Sequence, residues 1–271
     1  MEQKQLLSIV QSAMKLFNQE MGTEFSLENT HIAFFTPETG EKVFVDLCSE
    51  FFPDNLNDEY KQPDYFESFS AQALISEKEN GILIREDLDL QPVEWRHVIL
   101  HELSHIVCTR DEIEGGFFIK KYGNFYFDNT IEDGYINAGH AIWREFVAEL
   151  FAVSIDDNTF PFTLRQARKE ILYLNKFVRP RIDKSKVSLS NLLVYLFSSD
   201  EYFSSRDCDT FLEKIRKCKL EPILDLSEII ATVFDHVRKE RMYEIDVDYI
   251  LYLGSAYIRV LTMREFKTIT E

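Results

Sequence analysis

His101-Glu102-Leu103-Ser104-His105 sets two imidazoles four residues apart with a carboxylate next to the first. On an α-helix, residues i and i+4 lie one above the other, so both rings can reach a single divalent ion at roughly 2.0–2.1 Å. Glu102 falls beside such an ion without binding it. From there its carboxylate can take a proton from an activated water and later hand it to a leaving amine. The chemistry this spacing predicts is hydrolysis by metal-activated water, with Zn2+ as the cofactor, His101 and His105 as ligands and Glu102 as the general base.

Two histidines are not a complete catalytic zinc site, which ordinarily takes three protein ligands and keeps a fourth position for water. The run His140-Ala-Ile-Trp-Arg-Glu145-Phe-Val-Ala-Glu149 predicts a second helix, from about His140 to Ile155, that supplies the third. Glu145 is the predicted ligand. Glu149, one turn later, is placed to accept the free ring N–H of a ligand histidine and fix its tautomer. The flanking Ile142, Phe146, Val147, Leu150 and Phe151 make this helix apolar nearly all round, and carboxylates in such surroundings are costly unless they bind something. His140, Glu149 and Asp111 stay open as alternative third ligands. His97 extends the stripe of His101 and His105, but eight residues of helix span about 12 Å, too far for one ion. It reads as a helix-surface residue. His236, Tyr243, Tyr257, Tyr122 and His140 are candidates for the group that stabilises a tetrahedral oxyanion.

A HELSH helix followed by a helix with Glu145-x-x-x-Glu149 resembles the gluzincin group of zinc metallopeptidases, over the stretch from about Val93 to Val153. The run Phe146-Val-Ala-Glu-Leu-Phe151 is distantly similar to the ImmA/IrrE-like metallopeptidases. The resemblance implies a zincin-like core, peptide-bond hydrolysis, a peptide or protein substrate, and a third ligand from the later helix. A metzincin would need Gly and His where this chain has Cys108 and Asp111. Two other classes fit the same residues: a non-catalytic regulatory or binding protein on a zincin scaffold, and a non-peptidic zinc hydrolase.

The elements around these residues predict an α+β fold. An N-terminal helix carries Leu6, Val10, Met14 and Phe17 at helical spacing. Residues His31–Thr36 and Lys42–Leu47, flanking Pro37-Glu-Thr-Gly-Glu, read as a β-hairpin, and Ile82–Arg85 as a third strand. A small sheet packed on the HELSH helix, from Val93 to Cys108, would lay an open strand edge beside the metal, where an extended peptide can pair by strand addition. Residues 112–139, rich in Gly, Asp and Asn, read as loops and short strands. Beyond Pro161 the spacing is helical, over 163–177, 188–197, 209–218, 226–241 and 247–266. Residues 1–157 are therefore expected to form the catalytic core and 158–271 an α-helical C-terminal lobe.

The formal net charge of -17 disfavours binding to nucleic-acid phosphates or to an anionic membrane surface. No 18-residue apolar stretch and no secretory leader are visible. Cys48, Cys108, Cys208 and Cys218 form no C-x-x-C pair, which predicts reduced thiols and a cytoplasmic protein rather than a thiolate metal site. No carboxylate run follows the calcium-loop pattern, so no second metal is expected.

Overall fold

The computed structural model describes residues 2–113, 131–156, 233, 236–237 and 245–257. The helices expected over 163–177, 188–197 and 209–218, most of that over 226–241, and Tyr122 and Tyr243 lie outside the described residues. Among the described residues the fold is α+β, with a small mixed sheet of three strands. By internal packing the chain forms two units, Met1–Val107 with Phe151–Pro161, and Cys108–Leu150 with Phe162–Glu271.

In the first unit, α1 (Gln3–Met21) buries Leu6, Val10, Ala13, Met14 and Phe17, the stripe its spacing predicts. It stops at Gly22, whose φ of 66° is the left-handed conformation that favours glycine at a helix end. The sheet has the order β1-β3-β2. β1 (Thr30–Phe35) runs parallel to β3 (Asn80–Arg85), and β2 (Ala71–Ile75) runs antiparallel to it, so among the described residues β2 is an outer strand. Alternation along the strands sends side chains to two cores. Ile82, Ile84 and Ala71 join α1 and the site helix in one; Leu83, Leu74 and Phe35 join Phe44, Phe52 and Phe66 in the other.

The expected hairpin is not what forms. β1 is present, but its predicted turn and second strand are α2 (Pro37–Phe51). The local Val43-Phe44-Val45 run suggested a strand, yet Gly40, Phe44 and Cys48 are buried at spacing four, which is one face of a helix. The start is also built for a helix. Pro37 occupies the first turn, where its missing N–H costs nothing, and the Thr36 N–H donates to Thr39 Oγ1 over 2.9 Å. Gly40 is needed for packing, because a Cβ there would meet the Phe66 ring at 2.5 Å.

The HELSH helix, α3, spans Pro92–Arg110. Trp95, Ile99, Leu100, Leu103, Ile106 and Val107 enter the same core as α1 and the sheet. Ala152, near the end of the following helix, joins that core, and Arg96 Nη2 pairs with Asp156 Oδ2 at 2.8 Å. That helix, α4, runs from Ile131 to Ile155. It begins nine residues before the predicted start, so residues 131–139 are helical instead of loop or strand.

In the second unit, α4 packs on the helical residues 247–257 by close backbone approach. A Cβ on Gly139 would lie 2.0 Å from the Ile250 carbonyl oxygen, and one on Gly254 would lie 1.7 Å from that of Tyr135. Both positions therefore demand glycine. Trp143 donates its indole N–H to the Ile113 carbonyl over 2.8 Å and meets the edges of a stacked His236–Tyr249 pair. Among the described residues, no helix is long and apolar enough to cross a membrane.

Candidate metal centre

α3 is the element that makes HELSH usable. Its core-facing residues Ile99, Leu103, Ile106 and Val107 are buried against α1 and the sheet, which fixes the rotation of the helix about its axis and so the bearing of His101 and His105. Ser104 is fully buried within the motif and is satisfied by donating its hydroxyl to the Leu100 carbonyl over 2.8 Å. A buried hydroxyl bonded back to its own helix leaves the neighbouring imidazoles uncontested.

The two imidazoles face each other. Their Nε2 atoms are 3.0 Å apart, with ring centroids 4.6 Å apart and planes at 86°. Two nitrogens bound tetrahedrally to zinc at about 2.05 Å would be about 3.3 Å apart, so the pair already stands at the spacing of adjacent ligands. Among the described residues, His101, His105 and Glu145 form a group in which one ligand atom from each lies within 4.8 Å of the others. Two imidazole nitrogens and one carboxylate oxygen are a donor set that could hold a divalent metal ion, zinc among them.

Glu102 is outside that group. It lies on the sheet side, 7 % exposed, and its Oε2 accepts the backbone N–H of Ala73 over 2.7 Å. This couples the motif to β2, a strand whose sequence, Ala-Gln-Ala-Leu-Ile, carried no strong signal of its own.

No family model, curated protein or solved structure matches this chain.

The other named residues divide by position. Glu149 and His140 are buried on α4, 5 % and 8 % exposed, and neither belongs to the group of three. Asp111 is exposed in the turn after α3 and is also outside it. His97, read from the sequence as a surface residue, is buried instead, as is His105, while His101 between them is half-buried. His236 packs on Trp143 together with Tyr249. Trp143 precedes Glu145 by two residues, about 200° around the helix, so its contact with His236 is made from a different side of α4 than the one Glu145 occupies. Tyr257 is buried in the helix over 247–257. Arg144, half-exposed, brings Nη2 to 3.6 Å from Glu145 Oε1, a long ion pair that sequence reasoning did not anticipate.

Proposed function

We propose that this protein is a zinc-dependent metallopeptidase with a zincin-like core. The observation that carries the reading is the division of the carboxylates and imidazoles: His101, His105 and Glu145 converge, while Glu102 stays apart and faces the outer strand of the sheet. A site needing only structural metal would have no use for a buried carboxylate in that position.

His101, His105 and Glu145 would hold the ion. When bound, zinc lowers the pKa of a coordinated water towards roughly 7 and polarises a carbonyl. The protein's own part is positional. Apart from the Ala73 N–H, which Glu102 takes, the outward edge of β2 offers backbone groups to which an extended peptide can add as a further strand, and this lays the peptide alongside Glu102. Glu102 accepts a proton as the water oxygen forms its bond to the carbonyl carbon. It returns that proton to the amine nitrogen as the C–N bond breaks.

The test is metal content and turnover measured together. Protein purified without added metal and then offered zinc should hold about one ion per chain and cleave members of a mixed pool of quenched-fluorescent peptides. Glu102→Gln should keep the ion and lose turnover by about 10²-fold or more. A wild type that holds no zinc, or a Glu102→Gln variant that cleaves as well as wild type, would remove the basis of this reading.

A further inference from the structure

Ala73 lies in the middle of β2, and two backbone bonds fix which way its amide faces. The Arg85 N–H donates to the Ser70 carbonyl, and the Ser76 N–H donates to the Glu79 carbonyl. In an antiparallel ladder, residues bonded to the partner strand alternate with residues whose backbone faces away. Stepping by two from Ser70 to Ser76 directs Gln72 and Leu74 towards β3, and turns Ala71, Ala73 and Ile75 to the side away from it. The Ala73 N–H is thus surplus to the sheet, and it is this N–H that donates to Glu102 Oε2.

The bond is economical in what it satisfies. An ionised carboxylate offers about four lone-pair sites, and a buried one is costly unless hydrogen-bonded. Glu102, 7 % exposed, receives a neutral N–H on one oxygen. A side chain held in place purely for stability would gain from donors on both oxygens. Holding one oxygen on a rigid strand restricts the carboxylate's rotation and aims the second oxygen along a defined direction.

We propose that the backbone N–H of Ala73 is the positioning group for Glu102: it pins Oε2, so that Oε1 is the oxygen that meets the attacking water. The inference rests on Glu102 being the base of a peptidase. It assigns to the sheet edge a role in the chemical step, separate from its role in holding substrate. Ala73 itself is a positioning residue and touches no reacting atom. Because the group is a main-chain amide, no side-chain replacement at residue 73 other than proline removes it.

The test deletes that one N–H. Replacing Ala73 by lactic acid through nonsense suppression converts the amide to an ester, removing the donor while leaving the side chain and the Ala73 carbonyl in place. Ala73→Pro is the second variant, tolerated where a strand N–H faces outward from an edge. Wild type, both variants and Glu102→Gln are compared with zinc bound, using the best-cleaved peptide of the pool. The expected result for the ester is unchanged zinc content, unchanged KM, and kcat lower by about tenfold to a hundredfold, part of the 10²–10⁴ that a positioned base supplies. A kcat equal to wild type, with Glu102→Gln inactive, overturns the positioning role and leaves the peptidase reading standing. Loss of zinc in a folded ester variant also overturns it, since the bond would then serve the metal site. Absence of turnover in zinc-loaded wild type overturns both.

Discussion

Glu145→Gln keeps the length of the side chain and removes the charge that would face a metal ion. The geometry sets how much should be lost. Donor atoms on a tetrahedral ion are about 3.3 Å apart; the two Nε2 atoms stand at 3.0 Å and all three donors lie within 4.8 Å of one another. Closing that gap takes about 1.5 Å of movement at most, within reach of a rotamer adjustment. The wild-type site should therefore gain the full share of a third ligand. A four-ligand structural zinc site contributes about 10–16 kcal/mol, or about 3 kcal/mol per ligand, and 3 kcal/mol is about a hundredfold in Kd. With zinc buffered a thousandfold above the wild-type Kd, the ion stabilises wild type by about 4 kcal/mol and the variant by about 1.4 kcal/mol. At about 2–4 °C per kcal/mol for a unit of this size, the zinc-induced rise in unfolding midpoint should be about 5–10 °C smaller in the variant. Scanning fluorimetry in chelator-buffered zinc measures it, with the exposed Glu132→Gln, at the far end of α4, as a control expected to behave as wild type. Equal zinc-dependent rises in wild type and Glu145→Gln would refute the ligand assignment.

Gly254→Ala should lower the urea midpoint by the equivalent of about 3 kcal/mol or more, because its Cβ would sit 1.7 Å from the Tyr135 carbonyl oxygen and neither backbone can yield cheaply. Gly134→Ala on the exposed face of α4, where a Cβ meets nothing within 4 Å, should instead gain up to about 1 kcal/mol from helix propensity. Burial pushes the Cys48 thiol up from an ordinary value near 9 to about 11. Its neutral form is the one the fold favours, so that contribution is complete below pH 9 and is lost as pH rises towards 11; native Cys48 should resist iodoacetamide at pH 8 and react once the protein is unfolded. Thr39→Val, which removes the acceptor for the Thr36 N–H, should destabilise α2 by about 1 kcal/mol in a thermal melt.

What could be read from the chain alone was the chemistry carried by short-range spacing. The i, i+4 histidines and the apolar positions of α1 and α3 are periodic signals, and periodicity survives without knowledge of partners. The α2 error shows two local signals in conflict. Val43-Phe44-Val45 favours a strand, but Thr36-Pro37 and the Gly40-Phe44-Cys48 stripe favour a helix, and burial of that stripe against Phe66 decides the matter. α4 was cut short for a different reason. Gly134, Asn137 and Gly139 look like a loop, whereas Gly139 is glycine because another helix crosses there, a cause more than 100 residues away in the chain. β2 was missed because a short outer strand with two alanines has little hydrophobic pattern to show, although it supplies the backbone N–H on Glu102.

Ala73, His101, Glu102 and His105 all emerge from the ribosome close together, on a hairpin and the helix that follows it, whereas Glu145 comes 40 residues after His105. At about 5–20 residues per second, the nascent chain would present two imidazoles for about 2–8 s before the carboxylate exists. A pair of imidazoles accepts several divalent ions in the order of their general affinities, with little discrimination by geometry. The choice of metal would then be made late, when the third donor is added and the coordination geometry it completes suits one ion better than those that came before.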